Sequence, residues 1–501
     1  MPHIFAPLTL EIIVLILGVF LLLAESLAKS GDRSWMGRWG VAVLAIVFGW
    51  SFFTTGDSGS VFYSADSTAL FFKRIALLST IGILVMALEF QTVLQRFIPG
   101  DGKGSGTGEF FALPVFTCAG LMFMASAIDF LLIFVALELS TISFYILVAY
   151  MRRQNASLEA GVKYLILGAL GTGFLVYGIT WVFGLTGETQ LARIAQALPL
   201  QLAPGGRLHG SETAILFAVG LLLVALGFKV AAAPFQLWVP DVYQGAPTPV
   251  TAFLSVGSKA AGFIVLLRVL EPFVSQPVLG PKLVGILNVL AILSLAYGSL
   301  AALPQDNLKR LLAYSSIGHA GYLLVSLASL NPAAPDFAGA TRTIGFYLVG
   351  YLLMTLLAFL VLTIVSSQSR GDDIAHFNGL SKRSPFLAFA MVVAMASLAG
   401  IPLTVGFYGK FMVFSAAVAA QKFLLVGIGI VSVAAGFYFY FRVIAAMFWR
   451  EPGEQSPVVV SGLSKLAVAT LVAGILLLGI FPGPVLNSIK VRNEPATASL
   501  R

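Results

Sequence analysis

Long apolar runs follow one another along nearly the whole chain, separated by short polar stretches. A helix that crosses a bilayer needs about 20 consecutive, mostly apolar residues. On that criterion the sequence predicts about fourteen transmembrane helices, near residues 8–28, 36–55, 68–95, 110–128, 130–150, 158–184, 212–239, 247–271, 282–303, 308–330, 341–366, 385–416, 421–449 and 463–482. The run at 385–416 is too long for one straight crossing. The longest connections, 95–110 and 185–211, are rich in Gly, Pro and polar residues and read as linkers. Gly102, Gly104, Gly106 and Gly108 alternate in the first of them. They lack the strand, helix and Lys-Ser/Thr pair of a phosphate-binding loop and read as flexible linker. No connection is long enough to fold as a catalytic domain, so the chemistry is expected inside the bilayer.

Two segments break the helical pattern in corresponding places. Gly227-Phe228-Lys229 runs on to Pro234, and Gly400-Ile401-Pro402 runs on to Lys410. Each lies in the fourth helix of a set of five, and an odd number of crossings turns the second set upside down. Inverted repeats with discontinuous helices are a transporter pattern. A proline in mid-helix frees backbone groups that protein or water must satisfy. The expected fold is therefore an all-α polytopic membrane protein with two inverted five-helix repeats broken at Pro234 and Pro402. The expected divisions are 1–109 (three helices), 110–271 (first repeat), 282–450 (second, inverted repeat) and 451–501 (a last helix and tail).

Composition removes the soluble alternative. Hydrophobic residues make up 58% of the 501 and charged residues 10%, against about 25% charged in soluble domains. Cys118 is the only cysteine, so the chain offers no intrachain disulfide and cannot supply the roughly four thiolates of an iron–sulfur cluster. Electron transfer through this chain is not expected, nor is a metal site. The start, Met-Pro-His-Ile-Phe-Ala-Pro, has no basic region of a secretory signal, so the first helix is expected to be retained. Basic residues such as Arg152, Arg153, Lys309, Arg310, Lys382 and Arg383 favour one set of loops, although Lys73 and Arg74 blur the contrast. By the positive-inside rule that set is cytoplasmic and both termini are periplasmic. This bias accounts for most of the net charge of +8 without a nucleic-acid partner.

The most informative residues are charges within the apolar runs: Glu138, Lys163, Lys229, Lys259 and Lys410. A charge at mid-bilayer costs about 2.5–3.5 kcal/mol on insertion scales, and such residues mark ion and proton pathways. His319 is also mid-span, and imidazole suits proton shuttling. His3, His209 and His376 fall at the terminus or in loops and receive no role.

Several stretches together resemble a known family: Glu159-Ala160-Gly161-Val162-Lys163-Tyr164, Gly227-Phe228-Lys229 through Pro234-Phe235-Gln236-Leu237-Trp238, Pro240-Asp241-Val242-Tyr243-Gln244-Gly245-Ala246-Pro247, Ser258-Lys259-Ala260-Ala261, Asn307-Leu308-Lys309-Arg310 through Ile317, and Gly400-Ile401-Pro402 through Lys410. In this order and spacing they resemble the antiporter-like subunit N of proton-pumping NADH-quinone oxidoreductase. The resemblance implies a proton-translocating, non-redox subunit of a bacterial inner-membrane complex driven by NADH or ferredoxin. It implies FMN, iron–sulfur clusters and quinone in partner subunits, with neighbouring antiporter-like and small helical subunits alongside. It also assigns roles: Glu138 pairs with Lys229, and Lys163 takes up protons or snorkels to the surface. Lys259 links onward to Lys410 near the outward exit, with His319 between them in sequence. One position departs from the pattern. Gln236 stands where the family usually has histidine, and glutamine cannot take up a proton. A sodium/proton antiporter subunit, a hydrogenase subunit and a scaffold of fixed ion pairs remain open.

Overall fold

The computed structural model describes residues 8–28, 31–54, 59–98, 106–203, 206, 212–369, 371–452 and 456–489. Gly102, Gly104, His3 and His209 lie outside them. In chain order the helices are α1 (Thr9–Leu27), α2 (Ser34–Trp50), α3 (Ser67–Phe97), α4 (Glu109–Ser126), α5 (Phe130–Val148), α6 (Asn155–Thr186), α7 (Leu191–Leu202), α8 (Glu212–Val230) and α9 (Val239–Gly245). They continue as α10 (Thr248–Val274), α11 (Gly280–Ala302), α12 (Leu308–Ala328), α13 (Phe337–Ser369), α14 (Leu380–Arg383), α15 (Pro385–Ala399), α16 (Val405–Ala419), α17 (Phe423–Trp449), α18 (Gly462–Ile480) and α19 (Gly483–Ser488). Among the described residues, extended structure amounts to four isolated bridges. Among the described residues twelve helices are long and apolar enough to cross a membrane, and α15 and α16 are shorter apolar helices.

Burial sorts the helices into layers. In α10 and α12 essentially every side chain is covered, and α13 is nearly so. A helix that is apolar all round suits such a central place. By contrast α1, α6, α17 and α18 bury only a stripe and turn Ile16, Ile166, Val431 and Leu466 outward, as a lipid boundary requires. Starts are set by side chains that satisfy free amides: Asp66 caps α3 through Ala69, Asp129 caps α5 through Leu131, and Asn307 caps α12 through Arg310. Gly187, in the left-handed region at φ 76°, ends α6.

Three sequence expectations change. The 185–211 connection is more than linker, because it contains α7, whose Leu191, Ile194 and Leu198 form one buried stripe. Lys309 belongs to α12 rather than a loop; its ammonium is buried, bonds the Ala246 carbonyl at 2.6 Å and lies 3.5 Å from Asp372. Lys73 lies inside α3 and is wholly buried.

In lipid, helices are held by close packing more than by water exclusion. A close backbone approach joins α11 to α12 at Gly298, where a Cβ would collide with the Gly318 amide nitrogen. Gly285, on the same helix, has open space at that position. Gly298→Ala is therefore expected to destabilise the fold by about 1–3 kcal/mol, the range for overpacking, while Gly285→Ala is expected to be silent. Thermal melting of the detergent-solubilised complex, followed by retention of this subunit, checks the pair.

Candidate functional site

Helical geometry is lost twice inside the bundle, and each interruption is backed by specific hydrogen bonds. After α8 the chain turns through Ala231 at φ 64°, and Pro234 lies in the interrupted segment. The freed Ala233 amide donates to Ser294 Oγ on α11 at 2.9 Å, and the Trp238 indole donates to the Phe228 carbonyl at 3.1 Å. Between α15 and α16 the backbone passes Gly400 at φ 90°, Pro402 and Leu403 at φ 70°. Here the Lys410 ammonium donates to the Leu398 and Ala399 carbonyls, both at 2.8 Å. A cation on the last carbonyls of a half-helix is favoured by its dipole. The Gly406 amide is held by Ser397 Oγ at 3.2 Å.

Lys229 ends α8 on the near side of its break and points to α5. Its ammonium donates to Thr141 Oγ1 at 3.0 Å and Ser140 Oγ at 3.3 Å, and lies 5.8 Å from the centre of the Phe144 ring. Glu138 is three residues before Thr141, so it shares that face of α5. Its carboxylate instead accepts from Thr172 Oγ1 on α6 at 2.7 Å. The expected Glu138–Lys229 pair is thus open: no direct ion pair joins them among the described residues. Gln236 is buried, and its Oε1 has no hydrogen-bond partner among the described residues.

Lys259 follows a π-helical turn, Leu254–Ser258, inside α10. Its ammonium donates to the Ser316 carbonyl and to Ser316 Oγ, the latter at 2.6 Å, and faces the Tyr351 ring at 5.1 Å. Gly262, one turn on, brings α10 against Lys229, since a Cβ there would stand 3.4 Å from Lys229 Cγ. On α12 the polar line continues from Ser316 to Ser315, which bonds the Tyr440 hydroxyl. Tyr440 also meets His319 Nε2 at 3.2 Å, while Nδ1 meets the Tyr347 hydroxyl at 2.7 Å. His319, Tyr440, Ser315, Ser299, Tyr322 and Lys410 line one polar cavity of about 20 Å³, which has room for a water molecule.

The lysines divide into two kinds. Lys229, Lys259 and Lys410 are 5%, 1% and 6% exposed and, among the described residues, rest on hydroxyls, carbonyls and aromatic faces rather than on carboxylates. Lys163 differs: its side chain is 41% exposed and pairs with Glu159 at 2.8 Å and Asp241 at 2.7 Å. Asp241 also binds Arg310 at 2.9 Å, so Lys163 belongs to a surface ion network. His376 lies in a short 3₁₀ turn, away from this line. Sequence reasoning missed Tyr347, Tyr351, Tyr440 and Ser316. The signal available was the clustering of hydroxyl residues in otherwise apolar helices, and it does not say which helix they face. On α6, Gly168 and Gly171 pack against Tyr145 and Phe228, whereas Gly173 faces open space.

Broken helices around a buried row of lysines define an antiporter-like membrane subunit, and the sequence profile described as "NADH:quinone oxidoreductase/Mrp antiporter, TM" matches residues 127–437. NADH-quinone oxidoreductase subunit N of Trichlorobacter lovleyi is 41% identical, with 95% of this chain and 94% of that protein aligned. The chain belongs to the subunit N family of NADH-quinone oxidoreductases. A chain in respiratory complex I from Thermus thermophilus with bound aureothin superposes with a TM-score of 0.78 at 33% identity, covering 96% of this chain and 99% of that one. A chain of the Mrp complex from Dietzia sp. DQ12-45-1b shares the fold, with a TM-score of 0.80 at 17% identity and 98% and 96% coverage.

The hydroxyls around Lys229 supply a direct test. A hydrogen bond to a charged group contributes about 1.5–3 kcal/mol, so removing both acceptors with Ser140→Ala and Thr141→Val is expected to lower turnover-linked proton movement by about tenfold or more. Each single change is expected to do less. Dye-based proton uptake in vesicles, normalised to assembled subunit, measures it.

Proposed function

We propose that this chain is the proton-translocating, antiporter-like membrane subunit of a quinone oxidoreductase complex. The observation that carries this reading is the row of buried lysines free of carboxylate partners and joined, from Lys259 to Lys410, by hydroxyls, His319 and a polar cavity. In this scheme Lys163 gathers protons at the cytoplasmic surface and Glu138 loads Lys229. Lys259 passes charge along Ser316, Ser315, Tyr440 and His319, and Lys410 stands at the outward exit. Water beside Gln236 carries the step that a family histidine would otherwise serve, and the unpartnered Oε1 of Gln236 supports a water there. Pro234 and Pro402 mark the breaks that let polar groups and water into the bundle.

Magnitudes fit. Moving one charge against 100 mV costs about 2.3 kcal/mol. Exchanging the hydroxyl partners of Lys229 for the carboxylate of Glu138 acts through hydrogen bonds of about 1.5–3 kcal/mol each. A conformational step that opens and closes that pair is therefore of the right size to drive a proton uphill. The energy must arrive from neighbouring subunits as a coupling between sites. FMN, iron–sulfur clusters and quinone belong to those partners in this scheme, and this chain acts without a redox group of its own.

The same scheme sets the chain in a bacterial inner membrane with both termini periplasmic. Counting α2 as a crossing, and α15 with α16 as one broken crossing, gives fourteen, arranged as three helices, two inverted repeats of five and one last helix. Likeness of fold to the Mrp complex makes sodium/proton exchange the second reading. Sodium favours oxygen ligands, and a row of ammonium groups favours protons instead.

Lys229→Met is expected to leave a fully assembled complex that no longer moves protons during quinone reduction. Proteoliposomes with a pH-sensitive dye measure it. Unchanged proton movement sinks the relay, and movement that appears only with added sodium favours exchange.

A further inference from the structure

The most deeply buried ion pair lies outside the lysine row. Glu11, in the first turn of α1, and Lys73, near the start of α3, are 2.8 Å apart and both side chains are fully shielded. The Tyr63 hydroxyl completes the group: it accepts from Lys73 Nζ at 2.6 Å and donates to Glu11 Oε1 at 3.0 Å. The Lys73 ammonium also faces the Tyr63 ring at 4.9 Å. Tyr63 is in the connection between α2 and α3, and that connection is laced to the one between α4 and α5. Tyr63 and Ala127 form an antiparallel bridge, the Ser64 amide donates to the Ser126 carbonyl at 2.8 Å, and the Ile128 amide donates to the Phe62 carbonyl at 3.1 Å.

Glu11 of α1 thus meets Lys73 of α3 and Tyr63 of the connection leading into α3 at one charge pair, and that connection is bridged in turn to the one between α4 and α5. The contrast with the relay lysines is chemical. Lys229, Lys259 and Lys410 have neutral partners that can be exchanged, whereas Lys73 faces a carboxylate at contact distance with a phenol bridging the two. Among the described residues Glu11 Oε2 has no hydrogen-bond partner of its own, and Lys73 balances the carboxylate charge from the Oε1 side. Removing one member of a buried pair leaves an uncompensated charge, but replacing both with apolar residues of similar size can be nearly neutral.

We propose that Glu11, Lys73 and Tyr63 form a charge lock that docks the first three helices onto the α4–α5 connection and keeps its charges throughout turnover, apart from proton transfer. The lock stands whether the lysine row carries protons or another ion. The test compares Glu11→Leu, Lys73→Met and the double variant in the complete complex. Two readouts are taken: the amount of this subunit in purified complex, and protons moved per electron in whatever assembles. Each single variant is expected to lower the amount several-fold, and the double variant to restore most of it. Protons per electron are expected to match the parent in all three. A double variant as depleted as the singles, or singles that assemble fully, overturns the lock. A double variant that assembles fully yet moves fewer protons per electron overturns the separation from transport and assigns the pair a carrier role.

Discussion

A backbone amide or carbonyl that loses its helical partner within a lipid bilayer has only protein or trapped water to turn to. The rest of this architecture follows from how that demand is met. At the first interruption the demand falls on Ser294 and Trp238, which leaves the ammonium of Lys229 committed only to two hydroxyls. At the second, the lysine itself meets the demand, because Lys410 holds the last carbonyls of α15. The two breaks are therefore not equivalent. Charge on Lys410 is tied to the shape of the backbone around it, while charge on Lys229 is tied to side chains that can swing.

The helical architecture was legible because lipid imposes a blunt rule: about 20 apolar residues per crossing. Pro234 and Pro402 stood out because a proline in mid-helix frees backbone groups that protein or water must satisfy, and each has a lysine nearby in sequence. The charges buried in the apolar runs were legible for the converse reason, being costly. What hydropathy does not carry is who faces whom. Glu138 and Lys229 share a neighbourhood, yet the carboxylate is turned to Thr172. Lys73 and Lys309 were counted with loop charges because they stand near the ends of apolar runs, and only tertiary packing shows them enclosed. Tyr347 and Tyr440 lie on helices that carry several other hydroxyl and charged residues, and nothing in the pattern singles these two out, so their convergence on His319 required the fold.

Pairing also separates two uses of the same residue type. Where a lysine is met by a carboxylate, as Lys73 is by Glu11, Lys163 by Asp241 and Lys309 by Asp372, it fastens elements or dresses a surface. Where it is met by neutral oxygens and ring faces, its proton is held by partners that can be traded. Sequence alone grades them by depth along an apolar run and says nothing of the partner each one meets.

The π-helical turn ahead of Lys259 has a geometric effect on one of the most enclosed helices of the bundle. An α-helix advances by about 100° per residue, and a π turn accommodates one residue more than an α turn over the same stretch. The half of α10 before Leu254 is thereby rotated relative to the half that carries Lys259, as if a dial had been moved by one notch. Thr251 and Lys259 consequently face different neighbours than an unbroken helix would give them. Loss of any single residue within Leu254–Ser258 would let this stretch close as an ordinary α turn with both halves left where they are, whereas a regular α-helix that kept every residue would swing one half by roughly a quarter turn.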